Sequence, residues 1–427
     1  MNLSKKVPVI SGTALILSGL VFASASFLSG CSGEKKEKSE VSLPEEAPLS
    51  ADGSFMSRKH GAEANEAGLK PEVLYKIDIE MQRYVDTGKV AGAVVLINNK
   101  GRRGYFEAFG MQDIENAKPM KRDTIFRLMS MTKPLIVIAA LTLFDEGKFK
   151  LDDPIFKYCP EWENPQVLEN GILVPAKFPI TPRMLMCHSS GLYYGNLENG
   201  VRAAALAFQA AHSRDKNLKE FSESVAKEPL KFQPGTEYIY GLGIDVLGRY
   251  LEAVTGKPLD EVLKEKLLIP LKMTDTDFWV PPEKSGRLCK IYRQSYSGIL
   301  EEGDDILKLT ERPSLLLGGH GMCSTMADYE KFCRMIINRG ELNGVRILKT
   351  KTADIIFKNQ LKVPGQKFGL GGAVDGEGSY FWGGADGTQF WIESKNKVFA
   401  IFMSQTQIES SPVYPALKAL VDEAVEK

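Results

Sequence analysis

Phe126-Arg-Leu-Met-Ser-Met-Thr-Lys133 runs straight into Pro134-Leu-Ile-Val-Ile-Ala-Ala-Leu-Thr-Leu-Phe144, and Gly147 follows shortly after. The uncharged run reads as a buried helix ended by Gly147, since glycine takes the left-handed conformation past a helix C-terminus at little cost. Ser130 stands at the head of this helix. Lys133 lies three residues on, which puts it on the same face one turn away. Unpaired backbone N–H groups at a helix start favour negative charge, and a lysine stripped of water by a buried helix can serve as a base. Together these are what an activated serine nucleophile requires. Taken alone, the segment also fits an N-cap serine with a lysine that reaches back to solvent.

Spacing does not decide between the two. Ser-x-x-Lys occurs five times, at Ser32/Lys35, Ser130/Lys133, Ser213/Lys216, Ser224/Lys227 and Ser394/Lys397. Only the pair at Ser130 opens a long apolar helix. The others fall in a charged N-terminal stretch, in charged helical sequence, or between two strand patterns.

Further along the chain come Gly147-Lys-Phe-Lys-Leu-Asp-Asp-Pro154, Ile180-Thr-Pro-Arg-Met-Leu-Met-Cys-His-Ser-Ser-Gly-Leu192, Pro234-Gly-Thr-Glu-Tyr-Ile-Tyr240 and Gly318-Gly-His-Gly-Met-Cys-Ser-Thr-Met-Ala-Asp-Tyr329. With the Ser130 segment, and in this order, they resemble the β-lactamase-like serine hydrolases, the relatives of class C β-lactamases, D-Ala-D-Ala peptidases and family VIII carboxylesterases. The resemblance spans roughly Pro71 to Gln405. It implies Ser130 as nucleophile, with Lys133 and Tyr240 sharing proton transfer, and no metal or organic cofactor.

Two departures from the β-lactamase pattern bear on the substrate. The second motif of β-lactamases and peptidases is Tyr-x-Asn, whereas Tyr240 is followed by Gly241-Leu242; the phenol is kept and the amide is lost. A phenol beside Lys133 can relay a proton between Ser130 and a leaving group. In place of Lys-Thr-Gly stands Trp382-Gly383-Gly384, ahead of Ala385, which looks like the family VIII esterase variant. By resemblance, the Ala385 N–H joins that of Ser130 in an oxyanion hole, and Gly383 and Gly384 let an acyl group approach the strand. Without a cation at position 382, an anionic β-lactam or peptide is a poorer fit than an ester. The plain alternative for Trp-Gly-Gly is a hairpin turn. Tyr193 and Tyr194 could line an acyl pocket or a surface loop. His188 reads as structural, and His320 as a residue near the cleft.

The rest of the pattern fits a mixed α/β architecture. Pro71 to Tyr84 has helical spacing with apolar Val73, Ile77, Ile79 and Met81. Ala91–Ile97 and Tyr105–Phe109 form a hairpin. Strands return at Phe368–Gly372, Ser379–Trp382, Gln389–Ile392 and Val398–Met403, and an amphipathic helix closes the chain at Pro415–Val425. The resemblance implies a β-lactamase-like fold: an antiparallel sheet flanked by helices, with a helical lobe inserted between the two sheet halves. The expected division is residues 1–30 as a signal peptide, 31–67 as a flexible tether, and 68–427 as the hydrolase domain. Within it, the α/β part takes about 68–129 and 335–427, and the helical lobe about 130–334.

Composition excludes some classes. Apolar residues make up 43% of the 427 and charged residues 25%, which permits an ordinary core. With 54 basic and 54 acidic residues and no basic stripe, nucleic acid is not an expected partner. Lys5 and Lys6 precede an uncharged run to Leu28-Ser29-Gly30-Cys31, the layout of a secretory signal. It resembles a bacterial lipobox, so Cys31 is expected to carry a lipid and hold the protein to a membrane in the cell envelope; a spanning anchor is the alternative. The five later cysteines form no Cys-x-x-Cys, and the four histidines show no ligand spacing. The expected substrate is a small-molecule ester or a β-lactam-like compound. The rival readings are a β-lactamase or D-Ala-D-Ala carboxypeptidase, and a non-catalytic cell-envelope binding protein.

Overall fold

The structure, a computed structural model, describes residues 53–194, 216–295, 298–303, 305, 309–407 and 413–425. Along the chain run α1 (Gly53–Ala67), α2 (Pro71–Asp86), β1 (Gly92–Asn99), β2 (Arg102–Asp113), β3 (Lys118–Pro119), β4 (Ile125–Arg127) and α3 (Thr132–Asp145). After these come α4 (Gly243–Thr255), β5 (Cys323–Thr325), α5 (Met326–Ile337), β6 (Ala373–Val374), β7 (Ser379–Gly384), β8 (Thr388–Glu393), β9 (Val398–Ser404) and α6 (Val413–Ala424), with shorter pieces between.

Seven strands form one antiparallel sheet in the order β6-β7-β8-β9-β1-β2-β3. The two ends of the sequence meet at its centre, where Ala93 of β1 lies opposite Ser404 of β9 and Asn99 opposite Val398. Side chains alternate between the faces. Ala93, Val95 and Ile97 pack with Phe402 against the apolar faces of α1, α2 and α6. Val94 and Leu96 face the other way with Ile401 and Met403, onto α3, α4 and α5. Because both faces are covered, all eight residues of β1 are buried, and the strand reads as an unbroken apolar run.

Helix α3 crosses behind the site as the spine of the second layer. Every residue from Thr132 to Leu143 is buried, so the helix has no polar side. Its Pro134 sits in the first turn, where a missing N–H costs no helical bond. Helix α2 buries Val73, Ile77 and Met81 as its spacing predicts, while Ile79 falls off the stripe and is exposed.

The structure corrects three sequence readings. The tether does not reach residue 67, because α1 occupies Gly53–Ala67 and buries His60, Ala64 and Ala67. Over residues 60–67 the buried side is two alanines and one histidine, which leave no strong apolar period to read. The signal segment and Cys31 lie outside the described residues. The lobe between the sheet halves is not purely helical: a hairpin joins Gln166–Glu169 to Ile172–Pro175, and β5 pairs with β4. Finally, Phe368–Gly372 is a loop, since Gly371 adopts φ +78 and the Gly369 N–H turns back onto the Gly372 carbonyl; pairing begins only at β6. The five cysteines after Cys31 are buried free thiols, packed as small apolar groups.

Candidate active site

Ser130 is held from both sides before any chemistry is considered. Upstream, the Gln405 side chain clamps the Arg127 backbone, accepting from its N–H at 2.8 Å and donating to its carbonyl at 3.1 Å. The Leu128 N–H bonds the Met322 carbonyl. Met129 then takes φ +48, a left-handed conformation that a non-glycine residue holds only when its surroundings enforce it. A single 3₁₀ turn, Met129–Met131, carries Ser130 into α3. Downstream, the Tyr329 hydroxyl donates to the Met131 carbonyl at 3.1 Å.

Lys133 is fully buried. Its Nζ donates to Ser130 Oγ at 3.2 Å, to the Gly319 carbonyl at 2.7 Å and to the Tyr194 hydroxyl at 3.3 Å. It also lies 4.6 Å from the centre of the Tyr240 ring, within range of a cation–π attraction. Tyr240 reaches the same serine from the far side, its hydroxyl 2.6 Å from Oγ. The chain brings Tyr240 there through the Pro234–Gly235 turn, where Gly235 has φ +85 and its N–H bonds the Ser189 carbonyl. Gly241 leaves no room for a side chain, since a Cβ would stand 2.3 Å from Tyr193 Cα. Leu242 turns into the apolar core.

Strand β7 brings the third motif alongside. Trp382 rests on Tyr240 with ring centres 5.4 Å apart and on Phe368 at 5.1 Å. Gly384 packs directly on the serine turn, because a Cβ there would lie 2.3 Å from the Leu128 carbonyl. Thr388 ties the same carbonyl from β8 at 3.0 Å. Gly383 has more latitude, its nearest neighbour being the Gln389 side chain at 3.0 Å. Ala385 follows at the start of the β7–β8 turn. Trp-Gly-Gly is therefore strand rather than turn.

The sequence reading gave Tyr194 a wall role at most, yet its hydroxyl touches Lys133. His188 is buried with its ring 4.7 Å from Tyr240, and neither nitrogen has a hydrogen-bond partner. Burial, with the Lys133 charge second, holds it well below the ordinary histidine range, so it is a neutral wall. His320 is pushed down to about 3 by the same two causes in the same order. Asp245 escaped the sequence reading altogether. It is fully buried in the first turn of α4, and burial lifts its carboxyl to about 6 against the pull of Lys133. The available signal was an acid five residues after Tyr240, among the buried apolar residues Ile244, Val246 and Leu247 of the helix's first turns. Among the described residues no group of His, Cys, Asp and Glu could hold a metal ion. Among the described residues, none of the helices is long and apolar enough to cross a membrane.

A family model described as Beta-lactamase matches residues 77–423. Protein Rv1367c of Mycobacterium tuberculosis (strain ATCC 25618 / H37Rv) is 31% identical over 352 residues, covering 75% of this chain and 87% of that one. Lovastatin esterase of Penicillium rubens is 30% identical over 299 residues, covering 67% and 73%. Among solved structures, EstCE1, a hydrolase with promiscuous acyltransferase activity, matches with a TM-score of 0.71 and 26% identity over 83% of this chain and 98% of that one.

Proposed function

Since the chain belongs to the β-lactamase family of serine hydrolases, we propose that it hydrolyses esters, or transfers their acyl groups, through an acyl-enzyme on Ser130. The observation that carries this reading is the double contact at Ser130 Oγ, from Tyr240 at 2.6 Å and Lys133 at 3.2 Å. Attack forms a bond from Oγ to the ester carbonyl carbon, and the Ser130 proton passes to the Lys133–Tyr240 pair. The pair must hold one proton fewer than ammonium plus phenol when substrate arrives. It returns that proton to the departing alkoxide as the acyl–oxygen bond breaks, and the same two groups then activate water or an acceptor alcohol to release the acyl group. The Ser130 and Ala385 N–H groups would stabilise the oxyanion; the contact of Gly384 with the Leu128 carbonyl supports this assignment.

Ester rather than β-lactam is favoured by Trp382 at the place where β-lactamases carry a lysine, and by the esterase and acyltransferase activities named for the relatives. Comparing turnover of a short p-nitrophenyl ester with that of a chromogenic cephalosporin tests the preference; faster cephalosporin turnover reverses it. A fluorophosphonate probe with peptide mass spectrometry tests the nucleophile. No adduct on the wild type, or an adduct that persists in Ser130→Ala, overturns it and leaves a binding role. Export and anchoring through a lipid on Cys31 belong to the same proposal, supported by the Leu28-Ser29-Gly30-Cys31 pattern. Incorporation of an alkyne fatty acid that disappears in Cys31→Ser checks it.

A further inference from the structure

We propose that Asp245 is a positioning residue for Lys133, holding the amine against Ser130 through the backbone of Gly319. This inference rests on the Ser130 acyl-enzyme reading and deepens it. Asp245 Oδ1 accepts the Gly319 N–H at 2.8 Å, and the carbonyl of that same glycine accepts Lys133 Nζ at 2.7 Å. One residue thus links the carboxylate to the amine. The glycine is required by contact rather than by conformation: neither Gly318 nor Gly319 has a positive φ. A Cβ on Gly319 would stand 2.5 Å from Asp245 Oδ2, and one on Gly318 would stand 2.7 Å from the Ile244 carbonyl. The Gly318–Gly319 segment is laid flat on the first turn of α4.

Oδ2 of Asp245 has no hydrogen-bond partner. A buried carboxylate with half its acceptors unused is costly, and an amide or an alkyl group would fill the place more cheaply. Its charge compensates the ammonium that forms when Lys133 takes the Ser130 proton. The titratable groups facing Asp245 or the amine are Lys133 from α3, Tyr194 and His188 from the loop after residue 186, Tyr240 ahead of α4, and His320 from the glycine loop. Of these, His188 and His320 are held neutral and Tyr194 is held far above its ordinary range, so none of the three gains or loses a proton near pH 6.

The experiment is the pH profile of kcat and KM on a p-nitrophenyl ester for the full chain and for Asp245→Asn, Asp245→Glu and Gly319→Ala. Wild-type kcat should rise with pH through a step near 6. Asp245→Asn should lose that step and fall on the order of 10- to 100-fold in kcat above it, with KM little changed. Gly319→Ala should fall similarly, and Asp245→Glu should regain the step in part. A step retained in Asp245→Asn, or a loss confined to KM, overturns the inference. If Asp245→Asn does not fold, the wild-type profile and Gly319→Ala decide: a profile without a step near 6, or a Gly319→Ala profile like the wild type, overturns it. Wild-type protein inert to both ester and fluorophosphonate defeats the acyl-enzyme reading itself, an outcome distinct from any of these.

Discussion

The two faces of the central sheet bury their polar groups in different arrangements. Behind it, among α1, α2 and β2, the His60 ring meets Asp78 at 2.8 Å and the Tyr105 hydroxyl donates to the other Asp78 oxygen at 2.6 Å. The knot continues through Glu107, 4.0 Å from the other His60 nitrogen, to Arg122. In front, around Ser130, one oxygen of Asp245, both nitrogens of His188, the Tyr238 hydroxyl and the Trp382 indole N–H are enclosed without hydrogen-bond partners. A satisfied buried network stabilises a fold, while unsatisfied groups are costly and persist where something other than stability maintains them. The back is not free of such groups, since the Trp391 indole N–H in its core also lacks a partner, but five unpartnered atoms gather around Ser130, and that concentration marks the front face as the working one.

The strongest way to break this division is Ser130→Ala. Ester turnover should fall by on the order of 10⁴-fold or more, with thermal unfolding little changed; a melting temperature that drops instead would make the front face structural. Lys133→Met keeps the volume and removes the amine, and should cost roughly 10² to 10⁴ in kcat. Gly384→Ala forces a methyl group to within 2.3 Å of the Leu128 carbonyl. Shifting the serine turn by that route should lower kcat about 10- to 100-fold, measured with KM to show that binding survives.

The back face should answer in the other currency. Asp78→Asn should lower unfolding free energy by about 1 to 3 kcal/mol and leave kcat within about twofold of the wild type, checked by denaturant melts alongside turnover. The smallest effect is one of slope. Burial raises the Asp245 carboxyl from 3.8 to about 6, so the folded chain binds a proton that the unfolded chain does not. Stability should therefore rise as pH falls through about 6 and level off below the unfolded value. Asp245→Asn should lose that slope and, above pH 6, be the more stable protein by about 1 to 3 kcal/mol. A wild-type stability curve that is flat there removes the argument that Asp245 is kept at a cost.

How much of this was legible in the chain follows from range. Ser130, Lys133 and the buried helix behind them are local: spacing and an uncharged run carry them. Tyr240 and Trp382-Gly383-Gly384 could be assigned only by resemblance, because nothing in their own neighbourhoods says that they converge on Ser130 from 110 and 252 residues away. Asp245 was missed since its significance lies in one contact with a backbone amide at Gly319, and a backbone amide leaves no mark in a sequence. Helix α1 was missed for a different reason, its buried side over residues 60–67 being alanines and a histidine. The loop at Phe368–Gly372 was mistaken for a strand because aromatic and aliphatic residues there pack against His188 and Trp382 without pairing.

The pairing of β1 with β9 has a consequence for how the protein comes into being. Strand β1 has all eight residues buried, and its partner on one side lies some 300 residues later in the chain. Closing so long a loop makes for high contact order and slow folding. Until Val398–Ser404 has been synthesised, the hairpin of β1 and β2 presents an open apolar edge, the kind of surface that recruits other strands. A chain truncated before β9 should aggregate rather than yield a weakened enzyme. The edge of β1 closes only when Val398–Ser404 has been made.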